Sequence, residues 1–161
     1  MKSCGHLAFL PELLEVFPDA TLVHIHRHPA ASIASLSKIM FEFWRMRLAK
    51  VEPEFVGGLM LDWTRTHITR YLAARERLRL DERILDVEYD RIRDDPIPVF
   101  KEIYRRAGHL LAAEAEQAMR KWDKDNEQGK HGKHIYSLEQ FGLGKNKIDD
   151  AFGAYIRRFI E

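Results

Sequence analysis

Val23-His24-Ile25-His26-Arg27-His28-Pro29-Ala30-Ala31-Ser32-Ile33-Ala34-Ser35 is the stretch on which the fold reading turns. Thr21 to His26 is short, rich in apolar and β-branched residues and preceded by the turn signal Pro18-Asp19, so it reads as a buried strand. Pro29 then opens a helical pattern to about Lys50, with Ile33, Leu36, Ile39 and Met40 on one face. A strand running directly into a helix is the unit of an α/β protein with a parallel sheet. At the junction stands Arg27, with the hydroxyl of Ser35 eight positions on. One fixed cation and a hydroxyl near a helix N-terminus suit a phosphate. A strand-end ion pair for Arg27 and a helix-surface serine are the plainer alternatives.

The rest of the chain extends this pattern. Leu7 to Phe17 reads as a helix with Pro11 either in its first turn or kinking it, and Val56 to Leu80 as another, with Trp63, Ile68, Tyr71 and Leu72 near 3.6 spacing. Arg83 to Tyr89 is a second short strand through Ile84, Leu85 and Val87. Asp95-Pro96 begins a helix that ends near Gly108, Ala112 to Trp122 is helical, and Lys124 to Lys133 is a charged loop. The last helix carries the stripe Ile148, Phe152, Tyr155, Ile156 and Phe159 behind Asn146 as N-cap. Helices outweigh the two strands, and a two-stranded parallel sheet is a poor core by itself.

The 161 residues suit one domain, 1–161, with a real core. Hydrophobic residues at 45% and charged residues at 32% place the chain among globular proteins. A net charge of +1 provides no global field for nucleic acid or anionic membrane, so an anion site has to be local. Cys4 is the single cysteine, which rules out an intrachain disulfide and a cysteine-rich metal site. No signal-peptide core and no membrane-spanning apolar run is visible, so a cytoplasmic location is expected.

Six motifs occur in a recognisable order: Lys2-Ser3-Cys4-Gly5-His6-Leu7, Phe17-Pro18-Asp19-Ala20, His26-Arg27-His28-Pro29, Val87-Glu88-Tyr89-Asp90, Asp95-Pro96 and Tyr136-Ser137-Leu138-Glu139-Gln140-Phe141-Gly142-Leu143. This order resembles sulfotransferases that use 3′-phosphoadenosine 5′-phosphosulfate (PAPS). The likeness is greatest to the bacterial branch with Lys-Ser-Pro-x-His, Phe-Pro-Asp-Ala and His-Arg-Asp-Pro. The resemblance implies a P-loop-like α/β sulfotransferase fold and transfer of a sulfuryl group from PAPS to a hydroxyl or amine of a small-molecule acceptor. It implies that Arg27 and Ser35 grip the nucleotide 3′-phosphate and that Tyr89 lies beside the adenine, a core tyrosine being the alternative. Lys130 and Lys133, in Lys130-His131-Gly132-Lys133-His134, match by position and character a loop that closes over the 3′-phosphate. The other reading of that segment is a solvated basic loop. Lys2 and His6 match the family's catalytic lysine and histidine, although their spacing is four rather than two and Cys4 replaces the proline. Such side chains suit a proton acceptor and a cation over the bridging and leaving oxygens.

One departure bears on activity. The family's Arg-Ser-Gly-Thr type loop for the 5′-phosphosulfate has no counterpart here, since Gly57-Gly58 lies in a helical region and Gly142-x-Gly144 is C-terminal. The chain therefore reads as the C-terminal part of a sulfotransferase, expected to be inactive alone. The alternative function is an inactive nucleotide-binding or interaction remnant. The apolar Phe41, Phe43, Trp44, Phe55 and Met60 suit either an acceptor pocket or core exposed by a missing N-terminal half, which could drive homo-oligomerisation.

Two further residue patterns point elsewhere. His24 and His26 share a strand face, but no carboxylate lies at a matching spacing, so hydrogen-bonded strand histidines are expected and no metal. Trp44, Arg45, Arg47, Arg65, Arg70, Arg75, Arg77 and Arg79 are interleaved with Asp62, Glu76 and Asp81. They read as a solvated helix face rather than a nucleic-acid surface.

Overall fold

A computed structural model describes residues 3–126 and 137–161. It is α/β and mainly helical. The strands β1 (Leu22–His26) and β2 (Ile84–Glu88) pair in parallel, in the register Leu22↔Ile84 to His26↔Glu88. Both strands lie within a residue of their expected limits. Parallel partners cannot be joined by a tight turn, and the chain between them folds into α2 (Pro29–Arg45) and α3 (Pro53–Arg77). The described residues cluster into two compact units.

The first unit contains a 3-10 turn (Cys4–Phe9), α1 (Leu10–Val16), α2, α3 and the last helix, which is numbered α7 (Lys145–Phe159). The helix expected from Leu7 to Phe17 is α-helical only from Leu10, and of the two placements expected for Pro11, in the first turn or at a kink, the first is observed. Pro11 lies in the first turn of α1, where its ring blocks continuation of an α-helix from the N-terminal side, and the preceding turn tightens to 3-10. Likewise α2 stops at Arg45 rather than near Lys50, and α3 starts at Pro53 behind an extended Glu52, the conformation a residue before proline prefers.

The core of this unit joins Ile33 and Ala34 of α2 to Leu138, Leu143, Ile148, Phe152 and Ile156. Of the apolar face expected on α2, Ile33 is fully buried but Ile39 is 62% exposed. The helix instead turns Pro29, Ile33, Ala34 and Ser37 inward. The stripe on α7 is observed, but its N-cap is Gly144; Asn146 lies inside the helix. Gly57 of α3 lets the backbone of Phe141 approach, since a Cβ there would lie 2.2 Å from the Phe141 carbonyl oxygen.

Arg75 departs furthest from the solvated-face reading. Its side chain is 3% exposed; it donates from Nε to Asp81 and from Nη1 to the Tyr71 hydroxyl at 2.7 Å. Arg158 of α7 also donates to Asp81, at 2.6 Å. One exposed carboxylate thereby serves both a buried guanidinium on α3 and a second one on α7. Ser37 poses the opposite problem. It is fully buried, and its Oγ has no hydrogen-bond partner among the described residues.

The second unit contains β1, β2, α4 (Tyr89–Asp94), α5 (Pro96–Arg106) and α6 (Ala113–Asp125). Leu85, Val87 and Val99 form its core, flanked by Val23, Ile92 and Ile103. Asp95 caps α5 by accepting from the Ile97 amide at 3.3 Å, with Pro96 as the first helical residue. The short α4 was not expected, because six residues are too few to show periodicity. Lys124 and Asp125, expected in a loop, complete α6, where Lys124 suits the negative end of the helix dipole.

Two stability outcomes follow. Asp81→Ala should destabilise more, by about 3 kcal/mol, than Arg75→Met, because the first strands a buried guanidinium whereas the second leaves a carboxylate that water can reach. Ser37→Ala should raise stability by about 1 kcal/mol by removing a buried hydroxyl without a partner. Urea denaturation of the three variants checks both; equal losses for Asp81→Ala and Arg75→Met contradict the first, and a loss for Ser37→Ala the second.

Candidate functional site: the turn between β1 and α2

The strand β1 ends at His26, Arg27 and His28 make the link, and buried Pro29 begins α2. His28 is the N-cap. Its Nδ1 accepts from the Ala30 amide at 3.2 Å, and its carbonyl accepts from the amides of Ala31 at 3.1 Å and Ser32 at 3.2 Å. Pro29 has no N–H. The first-turn donors that a helix N-terminus normally presents to an anion are therefore already engaged by His28. With those amides engaged, the side chains near this turn that can donate to a phosphate are the guanidinium of half-buried Arg27 and nearby hydroxyls. Ser35 lies in the second turn of α2, about 10 Å along the axis from the cap by helical rise, rather than at the N-terminus itself. It is half-buried, and Ser32 lies one turn before it.

His6 is half-buried in the 3-10 turn, whose start is held by Ser3 Oγ accepting from the Gly5 amide at 3.1 Å. Phe9, at the end of that turn, meets His67 of α3 edge-on at 6.4 Å, and His67 stacks on Trp63 with ring centroids 3.6 Å apart. His67 Nδ1 lies 2.8 Å from the Trp63 carbonyl oxygen. His67 was not singled out from sequence; its four-residue spacing from Trp63 is the signal that was available.

Arg27, Ser35 and His6 belong to the first unit, whereas Tyr89 opens α4 in the second and is half-buried. Lys2, Lys130 and Lys133 lie outside the described residues. Of the apolar residues assigned to an acceptor pocket, Met60 is buried in the core and Phe41 packs edge-on against Phe141 at 6.1 Å. Phe43 and Phe55 are exposed. The pocket reading thus loses Met60 and Phe41 to the fold. Among the helix arginines, Arg45 pairs with Glu42 at 3.7 Å and Arg65 with Asp62 at 2.8 Å.

On the sheet, the sequence reading missed a carboxylate. Asp86 stands opposite His24 in the parallel register and lies 2.7 Å from His26 Nε2. No spacing along the chain announces it, because the residues meet only through strand pairing.

The strand, the arginine and the proline-led helix acquire their meaning from comparison. Residues 1–113, which include Lys2, His6, Arg27, Ser35 and Tyr89, match the model of the sulfotransferase family. The chain belongs to that family. Its structure is similar to that of sulfotransferase STF9 from Mycobacterium avium, with a TM-score of 0.84 and 32% identity over 96% of this chain and 40% of that one. It is also similar to sulfotransferase STF1 from Mycobacterium tuberculosis H37Rv, with a TM-score of 0.75 and 28% identity over 92% of this chain and 37% of that one. This sulfotransferase-family chain therefore spans about two fifths of the length of the solved chains it matches. No curated protein sequence matches it. Among its described residues no helix is long and apolar enough to cross a membrane.

The family pattern has aspartate where this sulfotransferase-family chain has His28, and the structure gives the histidine ring the cap role an aspartate would fill. His28→Ala should cost about 1 kcal/mol of stability, and His28→Asp should restore most of it. Denaturation of both variants tests this; equal losses would remove the capping role.

Proposed function

We propose that this chain carries the 3′-phosphate part of a PAPS site and that the protein transfers a sulfuryl group from PAPS to a hydroxyl or amine of a small-molecule acceptor. Arg27 is the observation that carries the reading. It is a cation two residues before the capped, proline-led start of α2, within the residues that match the family. A guanidinium presents a planar fork that pairs with two phosphate oxygens at once. Because His28 engages the first-turn amides, recognition at this turn rests on side chains, Arg27 first and the Ser35 hydroxyl second.

The remaining assignments are carried by resemblance. Tyr89 is proposed to lie beside the adenine, and Lys130 and Lys133 to belong to the loop that closes over the 3′-phosphate. His6 is the proposed proton acceptor for the attacking hydroxyl or amine, and Lys2 the cation that balances charge on the leaving oxygen. The exposed rings of Phe43 and Phe55 favour an apolar acceptor. A cytoplasmic setting belongs to the same proposal.

Titration with adenosine 3′,5′-bisphosphate tests the site directly. The chain should bind it with an affinity that falls as salt is raised. Arg27→Ala should weaken binding roughly a hundredfold or more, as expected for two charge-assisted hydrogen bonds of about 1.5 kcal/mol each. Unchanged affinity in that variant would refute the assignment. Because the chain is expected to be inactive alone, a PAPS turnover assay against hydroxyl and amine acceptors is run on the chain joined to an upstream half that carries an Arg-Ser-Gly-Thr type loop. Turnover that is lost in Arg27→Ala marks an enzyme, and binding without turnover a module that only holds the nucleotide.

A further inference from the structure

The paired strands assemble a donor set that the sulfotransfer reading does not use. His24 and His26 are two apart on β1 and share one face of the strand, and the parallel register sets His24 opposite Asp86 of β2. The two imidazole centroids are 4.0 Å apart, and His26 Nε2 lies 2.7 Å from Asp86 Oδ1. One ligand atom from each of the three residues lies within 4.8 Å of the other two. His26 is 2% exposed, the Asp86 side chain is 31% exposed, and His24 is half-buried, so the cluster is sheltered yet open to water on the carboxylate side.

These distances are close to those of a bound cation. Tetrahedral zinc bonds of about 2.0–2.1 Å place neighbouring ligand atoms about 3.3 Å apart. The His26–Asp86 pair would open by about half an ångström and the wider separations would close by up to about 1.5 Å, changes within reach of side-chain torsions alone. Two imidazoles with one carboxylate select a borderline cation of the zinc kind over magnesium or calcium, which prefer all-oxygen shells. The location also gives an ion something to do. His26 and Asp86 are 60 residues apart in sequence, so a bond spanning them closes a long loop.

We propose that His24, His26 and Asp86 bind a zinc-type divalent cation that clasps β1 to β2, with water in the fourth position. The ion stabilises the folded chain by mass action, since the three donors are together only when the strands are paired.

The test is a calorimetric titration of zinc chloride into the full chain after treatment with a chelator, with thermal denaturation in zinc and in EDTA. The expected result is one equivalent bound with micromolar or tighter affinity and a higher Tm in zinc. His24→Gln and Asp86→Asn keep polar groups of similar size, and the second leaves an acceptor for His26. Each should weaken binding by roughly tenfold or more and remove most of the Tm gain while the circular dichroism spectrum stays native. His109→Gln, which alters an exposed histidine outside the cluster, should bind as the parent does. Absence of binding overturns the proposal. So does binding that survives unchanged in both His24→Gln and Asp86→Asn, which would assign the ion to other histidines.

Discussion

The in-register parallel pairing of β1 with β2 is the constraint on which the rest depends. It ends β1 at His26, opposite Glu88, and the chain leaves the strand through Arg27 and His28 into the proline-led start of α2. Parallel strands need a long connection, here the two longest helices of the described chain, α2 and α3. The same register brings Asp86 to His24 and His26. A slip of one residue would carry Asp86 to the face opposite His24 and His26, so the cluster depends on a single alignment.

The turn after β1 starts α2 with a histidine cap where the motif it resembles has aspartate. Aspartate at position 28 would bring a negative charge next to the proposed phosphate site, whereas histidine caps the same amide without a fixed negative charge. Here the helix start is engaged by its own cap. On the proposed reading the attraction for an anion is concentrated on Arg27, which fits a chain whose net charge of +1 gives no wider field.

Much of this was legible in the sequence because it rests on local chemistry. Both strands, the proline-led α2 and the stripe of α7 follow from apolar spacing and from proline's fixed φ. What was not legible depends on partners distant in the chain. Arg75 looked like one more arginine on a wet helix, yet Tyr71, Asp81 and the charge-sharing Arg158 make it a buried polar centre. Met60 and Phe41 looked like pocket residues until Phe141 and the core claimed them. Asp86 was invisible as a neighbour of the histidines for the same reason. Ser35 was legible as a residue type, but its depth in the second turn of α2 emerged only once the cap was fixed at His28.

The central claim is that the link from β1 into α2 holds a nucleotide 3′-phosphate through Arg27. Nuclear magnetic resonance of the isotope-labelled chain tests it most directly, by following backbone amides and arginine Nε–H signals as adenosine 3′,5′-bisphosphate is added. The account predicts that the largest shifts fall on the Arg27 side chain and on amides from Arg27 to Ser35, and that they shrink when 5′-adenosine monophosphate, which lacks the 3′-phosphate, replaces the bisphosphate. Shifts of equal size with both nucleotides, or shifts that bypass Arg27, would contradict it.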